Sequence, residues 1–222
     1  MSRLAKPKLM LAKKTVEVTR GKRLTDRSSS VDLKQVDRPR GPRPRTLRTA
    51  LVTADSYQVG TVAEKRVESI RKLVEEATAL ALVASKEQPV RVTLHLDPTI
   101  DLVLVDKVQI QQVLLNLMRN GIEAMQSFPH PELVVTTTSE AESMIAVKVA
   151  DNGGGIDPEI RDRLFQPFVT TKRRGMGIGL SLCRTIINSH GGEITTEPNP
   201  DRGTVFRFTL RGASPEELHG GE

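Results

Sequence analysis

Two glycine clusters constrain this chain more than any other feature. Gly153, Gly154 and Gly155 form one, and Gly175, Gly177 and Gly179 the other. Between them lie Phe165 and Phe168 and then a polar, basic run, Thr170-Thr171-Lys172-Arg173-Arg174. Glycine has no Cβ, so the backbone turns tightly or comes close to a ligand where glycines gather. Two such places around a short cationic stretch predict a loop that closes over an anion.

The charge divides the chain in two. Residues 1–60 hold 15 Lys and Arg against 5 Asp and Glu, whereas the remainder holds 18 against 22. The overall +6 therefore belongs to the first quarter. That quarter shows no sustained helical or strand periodicity. Arg38–Arg48, RPRGPRPRTLR, excludes helix and central strand through its prolines. Residues 1–60 read as a basic, solvated and disordered arm. With Tyr57 its one aromatic and no reading motif, no specific nucleic-acid partner is expected. No apolar run approaches the roughly 18 residues of a membrane helix, and Leu9–Ala12 is too short for a signal peptide's apolar region. The single cysteine, Cys183, leaves no internal disulfide and fits a reducing, cytoplasmic setting. Its apolar helical context predicts a buried core residue.

Order is expected from residue 64 to 211, with a flexible tail over 212–222. Val67, Ile70, Val74 and Ala77 recur at helical spacing, predicting a helix over most of Ser69–Lys86. Val90–Leu96 alternates as a half-buried strand, and its His95 falls on the polar side. Leu102–Val105 reads as a short strand, and Asp106 as the N-cap of a helix over Lys107–Gln126. Strands follow at Leu133–Thr137 and Met144–Ala150, then a short helix at Pro158–Phe165. The second glycine cluster opens a helix from Ile178 to about His190, which Gly191-Gly192 stops. Glu193–Thr196 and Thr204–Leu210 suit a hairpin through Asn199–Gly203. This order lacks strict βαβ alternation. It predicts an α+β fold of two layers, a mixed and mostly antiparallel sheet with helices on one face.

On the Lys107–Gln126 helix, Ile110, Leu114, Leu117, Gly121 and Met125 make an apolar stripe. Gln112, Asn116, Asn120 and Glu123 fall on another face. A solvated face is the common reason for such a stripe. Two asparagines, poor helix formers, also fit metal binding, because an amide oxygen is a hard, neutral ligand for Mg²⁺. Asp151 ends an apolar strand just before the first glycines. It is either a turn aspartate or an acceptor for a ligand's amino or hydroxyl group.

Taken together, these segments resemble the ATP-binding domain shared by sensor histidine kinases, gyrases, Hsp90 chaperones and mismatch-repair ATPases (the GHKL, or Bergerat, fold). Gln111–Met125, QQVLLNLMRNGIEAM, looks like the N box of the histidine kinases. Asp151–Ile156, DNGGGI, looks like the first glycine box, Leu164–Lys172, LFQPFVTTK, like the F box, and Gly175–Leu182, GMGIGLSL, like the second glycine box. The stretch from about Glu64 to Leu210 is similar to the oxygen-sensing nitrogen-fixation kinases.

The resemblance implies ATP and Mg²⁺ as ligands. Asn120 would be the Mg²⁺ ligand. Asn116 would stand where the gyrase-like ATPases place their water-activating glutamate. Asp151 would accept the adenine amino group, with Thr204 in support. Gly153 and Gly155 would let the backbone approach the nucleotide, beside Ile156. Residues 166–177 would form an ATP lid, with Phe165 and Phe168 packing its base, Thr170 and Thr171 on it, and Lys172 reaching the phosphates. Gly175, Gly177 and Gly179, with Ile178 and Leu180, would present backbone amides to the phosphates. The implied activity is transfer of the γ-phosphate to a histidine on a dimerisation hairpin, with a response regulator as the further partner.

The family's acceptor histidine lies in an H box ahead of this domain. Here the histidines are His95, His130, His190 and His219, and none has that context. Three readings stay open: a kinase whose hairpin stands elsewhere, acting in trans or within a fuller chain; a nucleotide-binding regulator without transfer; and an anti-sigma-type serine kinase.

Overall fold

The computed structural model describes residues 13–17 (backbone only), 64–84, 89–97, 99, 101–172, 175–214 and 216–217. Its strands are β1 (Lys13–Glu17), β2 (Arg66–Ser69), β3 (Arg91–His95), β4 (Leu102–Val105), β5 (Glu132–Ser139), β6 (Met144–Asp151), β7 (Ile194–Pro198) and β8 (Thr204–Arg211). Its helices are α1 (Ile70–Ala84), α2 (Lys107–Ala124) and α3 (Gly179–Ser189).

Alternation along the strands decides the layers. Val135 pairs with Val149, and Val149 with Phe206, so these side chains share one face of the sheet. Leu133, Val147 and Phe208 lie on the same face, and all six are buried with Leu114, Leu117, Met118 and Ile187 from α2 and α3. The opposite face carries the ion pairs Lys148–Glu197 and Arg207–Glu140. The sheet order is β1-β3-β5-β6-β8-β7. Only β3–β5 is parallel; the other neighbours are antiparallel. A separate two-stranded ladder, β2–β4, leads into α1 and α2. The expected two-layer α+β sandwich is the observed one.

The helix ends follow local chemistry. At α1, Ser69 Oγ accepts from the Lys72 amide at 3.1 Å, and Asp101 Oδ1 accepts from the Arg71 amide at 3.1 Å. Asp106 caps α2 as expected, accepting from the Gln109 amide at 3.1 Å. At the end of α3 the chain turns at Gly191, φ 74°, and the Gly192 amide donates back to Ile187 O at 3.0 Å.

Three local expectations are corrected. Pro158–Phe165 is turns and a single 3₁₀ turn at Arg161–Arg163 rather than a helix. Asp157 Oδ1 accepts from the Glu159 amide at 2.9 Å, and a stretch this short does not offset the cost of helix nucleation. Within the arm read as disordered, Lys13–Glu17 pairs antiparallel with β3; an open sheet edge offers backbone groups that override weak propensity. The rest of residues 1–60 lies outside the described residues. Gly212, read as the start of a loose tail, donates to Ser143 O and Ala213 to Leu102 O, both at 2.9 Å, because β8 runs on alongside β4. Among the described residues no helix is long and apolar enough to cross a membrane.

Candidate functional site

The alternation that buries Val147 and Val149 puts Asp151 on the same, helix-facing side, at the last position of β6. It is 3% exposed. Its Oδ1 accepts from the backbone amides of Gly153 at 2.9 Å and Thr204 at 3.3 Å. Both bonds fall on Oδ1, leaving Oδ2 for a further donor. Burial pushes the carboxyl above its usual range, and the two amide bonds pull it back. The backbone around it leaves no room. A Cβ on Gly203, whose φ is 104°, would stand 2.1 Å from Asp151 O, and one on Gly153 would stand 2.7 Å from Ala124 O. Gly153 therefore fits against the end of α2, whereas Gly155, φ 80°, is exposed. Asn199 Nδ2 donates to Asp151 O at 2.8 Å. Beside Thr204 a cavity of about 280 Å³ extends between Gly155, Ile156 and Thr196. The Thr196 hydroxyl there is buried and has no partner among the described residues.

The segment after Leu164 is built differently. Phe165 packs on the core, with the Arg184 guanidinium 5.9 Å from its ring centroid. Phe168 was expected beside it, yet it is 78% exposed with φ 66°. The reason is a backbone closure: the Phe168 amide donates to Gly177 O at 2.9 Å, and that geometry turns the ring outward. Inside this closed loop, Thr170 Oγ1 accepts from the Lys172 amide at 3.1 Å, and the Gly175 amide donates to Lys172 O at 3.1 Å. Thr171 is exposed, and Arg173 and Arg174 lie outside the described residues. Gly177, Ile178, Gly179 and Leu180 then lead into α3, where Leu180 packs against the core.

Helix α2 meets both parts. Gly121 lies over Asp151: a Cβ there would be 3.2 Å from Asp151 Cβ. Asn116 Nδ2 donates to Gly179 O at 3.0 Å, at the first turn of α3. Asn120 Oδ1 accepts from Lys172 Nζ at 2.7 Å, and the same ammonium contacts Glu123 Oε2. The amide stripe of α2 thus faces the closed loop rather than open solvent.

Residues 105–214 match the family model described as histidine kinase-, DNA gyrase B- and HSP90-like ATPase. The catalytic domain of the histidine kinase ThkA is 32% identical and aligns with a TM-score of 0.58 over 69% of this chain and 99% of that one. This chain belongs to the histidine kinase ATP-binding domain family. The sensor protein FixL of Bradyrhizobium diazoefficiens is 54% identical over 68% of this chain, which spans 30% of FixL's length. ThkA in complex with the response regulator TrrA aligns at 30% identity with a TM-score of 0.60, over 77% of this chain and 48% of that one.

Within this histidine kinase domain, three side chains act in ways the sequence reading missed. His190, read only as a helix-end residue, is 4% exposed. Its Nε2 accepts from the Asp106 amide at 3.0 Å, and its Nδ1 donates to Ile186 O at 2.8 Å. Burial lowers its pKa below the usual imidazole value, so the ring is held neutral. Asn199 was read as part of a hairpin loop, and only its four-residue spacing from Gly203 hinted at a turn role. Glu123 was placed on the polar face, with nothing in the sequence pointing to Lys172. Cys183 is buried as expected, its thiol pushed up to about 12 by burial.

Proposed function

We propose that this domain binds Mg-ATP between Asp151 and the Phe168–Gly177 loop and transfers the γ-phosphate to a histidine of a separate or adjoining dimerisation hairpin. The observation that carries this is Asp151: a buried carboxylate with one oxygen locked by two backbone amides and the other open to a ligand. Oδ2 accepts the adenine amino group. Gly155, Ile156 and Thr204 line the base beside the cavity. Asn120 is the metal ligand, and the donor set fits a cation, because a lysine ammonium already rests on its Oδ1. Mg²⁺ supplies charge neutralisation at the phosphates. Residues 166–177 are the lid, Lys172 reaches phosphate oxygens, and the amides of Gly175, Gly177, Ile178, Gly179 and Leu180, leading into and opening α3, face the phosphates. Asn116 cannot act as a base, which favours transfer to an acceptor over loss to water. Residues 64–211 are the working unit. A response regulator is the downstream partner, by analogy with ThkA, and ATP use fits a cytoplasmic setting.

His95 lies on β3, His130 lies ahead of β5, and His190 is committed to holding α3. The acceptor is proposed to lie outside residues 64–211. Incubation with labelled ATP and Mg²⁺, with and without a separately expressed sensor-kinase hairpin, tests this. Label on the hairpin is the expected result. ATP binding with no transfer to any hairpin would favour the nucleotide-binding regulator, and no binding would overturn the proposal.

A further inference from the structure

We propose that Glu123 is a positioning residue: it holds the Lys172 ammonium on Asn120, latching the lid until a metal cation displaces that ammonium. This rests on the reading of Asn120 as the metal ligand.

Asn120 and Glu123 stand three apart on α2, so their side chains share a face. Lys172 Nζ lies 2.7 Å from Asn120 Oδ1 and also contacts Glu123 Oε2. The carboxylate's other oxygen faces Arg119 Nη2 at 3.8 Å, which orients it from the helix side. On the lid side, the Thr170 and Gly175 bonds on either side of Lys172 fix the turn that aims its side chain. Phe168 and Met176, the two largest apolar side chains among the described lid residues, anchor little, being 78% and 52% exposed. The described hold of the lid on α2 is therefore polar, and its centre is one ammonium shared by two residues.

Two cations held on one amide oxygen repel each other. A magnesium ion sits about 2.1 Å from its oxygen ligands. With the ammonium still in place, two cations would stand roughly 4 Å apart on one amide oxygen, a repulsive arrangement. Lys172 would then leave Asn120 when a metal cation is held there, and its ammonium would be free for phosphate oxygens. Glu123 sets how firmly the lysine is held beforehand. Lid release and metal loading become one event.

Hydrogen exchange of the lid amides in the nucleotide-free full chain reads the latch directly. Glu123→Gln, nearly isosteric and half-exposed, should speed exchange at the Phe168 and Gly175 amides, which donate to Gly177 O and Lys172 O, by up to about fivefold, the scale of a partly exposed ion pair. Exchange in β5 and β6 should not change. Lys172→Met should do the same, and the charge swap Glu123→Lys with Lys172→Glu should restore slow exchange. At fixed nucleotide, Glu123→Gln should also lower the half-saturating Mg²⁺ concentration a few-fold. Lid exchange in both single variants equal to that of the parent chain would overturn the latch. Asn120→Ala tests the underlying reading separately. If it keeps the Mg²⁺ dependence of nucleotide binding while Glu123→Gln still loosens the lid, the metal assignment falls and the Glu123–Lys172 hold stands.

Discussion

The two ends of the glycine-rich segment are held by opposite means. At Asp151 the partners are backbone: the amides of Gly153 and Thr204 bind its side chain, and Gly203 lies too close to its carbonyl to carry a Cβ. At Lys172 the partners are the ends of half-exposed side chains, Asn120 and Glu123. Backbone contacts in a buried corner cannot be exchanged without moving strands. Exposed polar contacts are exchanged at little cost. Under the proposed function the contrast matches two tasks: a fixed floor to recognise the base, and a lid whose hold would be given up on each turnover.

The predictions that would break this contrast start at the floor. Gly203→Ala should cost about 3 kcal/mol of stability, because a Cβ would meet Asp151 O at 2.1 Å and the residue's φ of 104° is poor for any side chain. Chemical denaturation measures it, and a loss below about 1 kcal/mol would show that the floor yields. Asp151→Ala should weaken nucleotide binding about 100-fold, roughly 2.7 kcal/mol for a charged hydrogen-bond acceptor. Calorimetric titration checks this, and unchanged affinity would remove Asp151 from the site.

A smaller effect is expected at His190. Its folded pKa lies below the usual 6.5 through burial, with Lys65 adding to the lowering and the Ile186 carbonyl and Asp106 opposing it. The neutral ring's contribution is thus complete above about pH 6.5 and is lost as pH falls through the folded value. Thermal midpoints should decline on that acidic side, and His190→Gln should flatten the decline while costing about 1 kcal/mol at neutral pH. The smallest effect belongs to the lid. Lys172→Ala should change stability by no more than about 0.5 kcal/mol. A larger loss, read from the unfolding midpoint, would mean that the lid is part of the scaffold.

The floor was more legible than the lid for a physical reason. Alternation in Met144–Asp151 and the helical stripe through Ile110, Leu114 and Leu117 report burial, and burial is what sequence periodicity encodes. The capping role of Asp106 and the stop at Gly191-Gly192 are local chemistry, also readable. Phe168 was misplaced because the F-box resemblance set it beside Phe165 at the base of the lid, while a backbone closure with Gly177 turns it outward. The Glu123–Lys172 contact and the His190–Asp106 bond join residues far apart in the chain, and neither leaves a periodic trace. The pairing of Lys13–Glu17 with β3 was missed because the sheet edge, rather than the strand's own composition, creates it.

Helix α3 is pinned to α2 at both of its ends. Asn116 holds its first residue through Gly179 O, and His190, just past its last, accepts from the Asp106 amide. The two helices therefore behave as a single calliper. Its opening, from the amides that begin α3 to the Asn120 side chain, is set by these two bonds rather than by the lid. Under the proposed function a swing of the lid would pivot ahead of Gly179, and the gap that would receive the phosphates would keep one gauge.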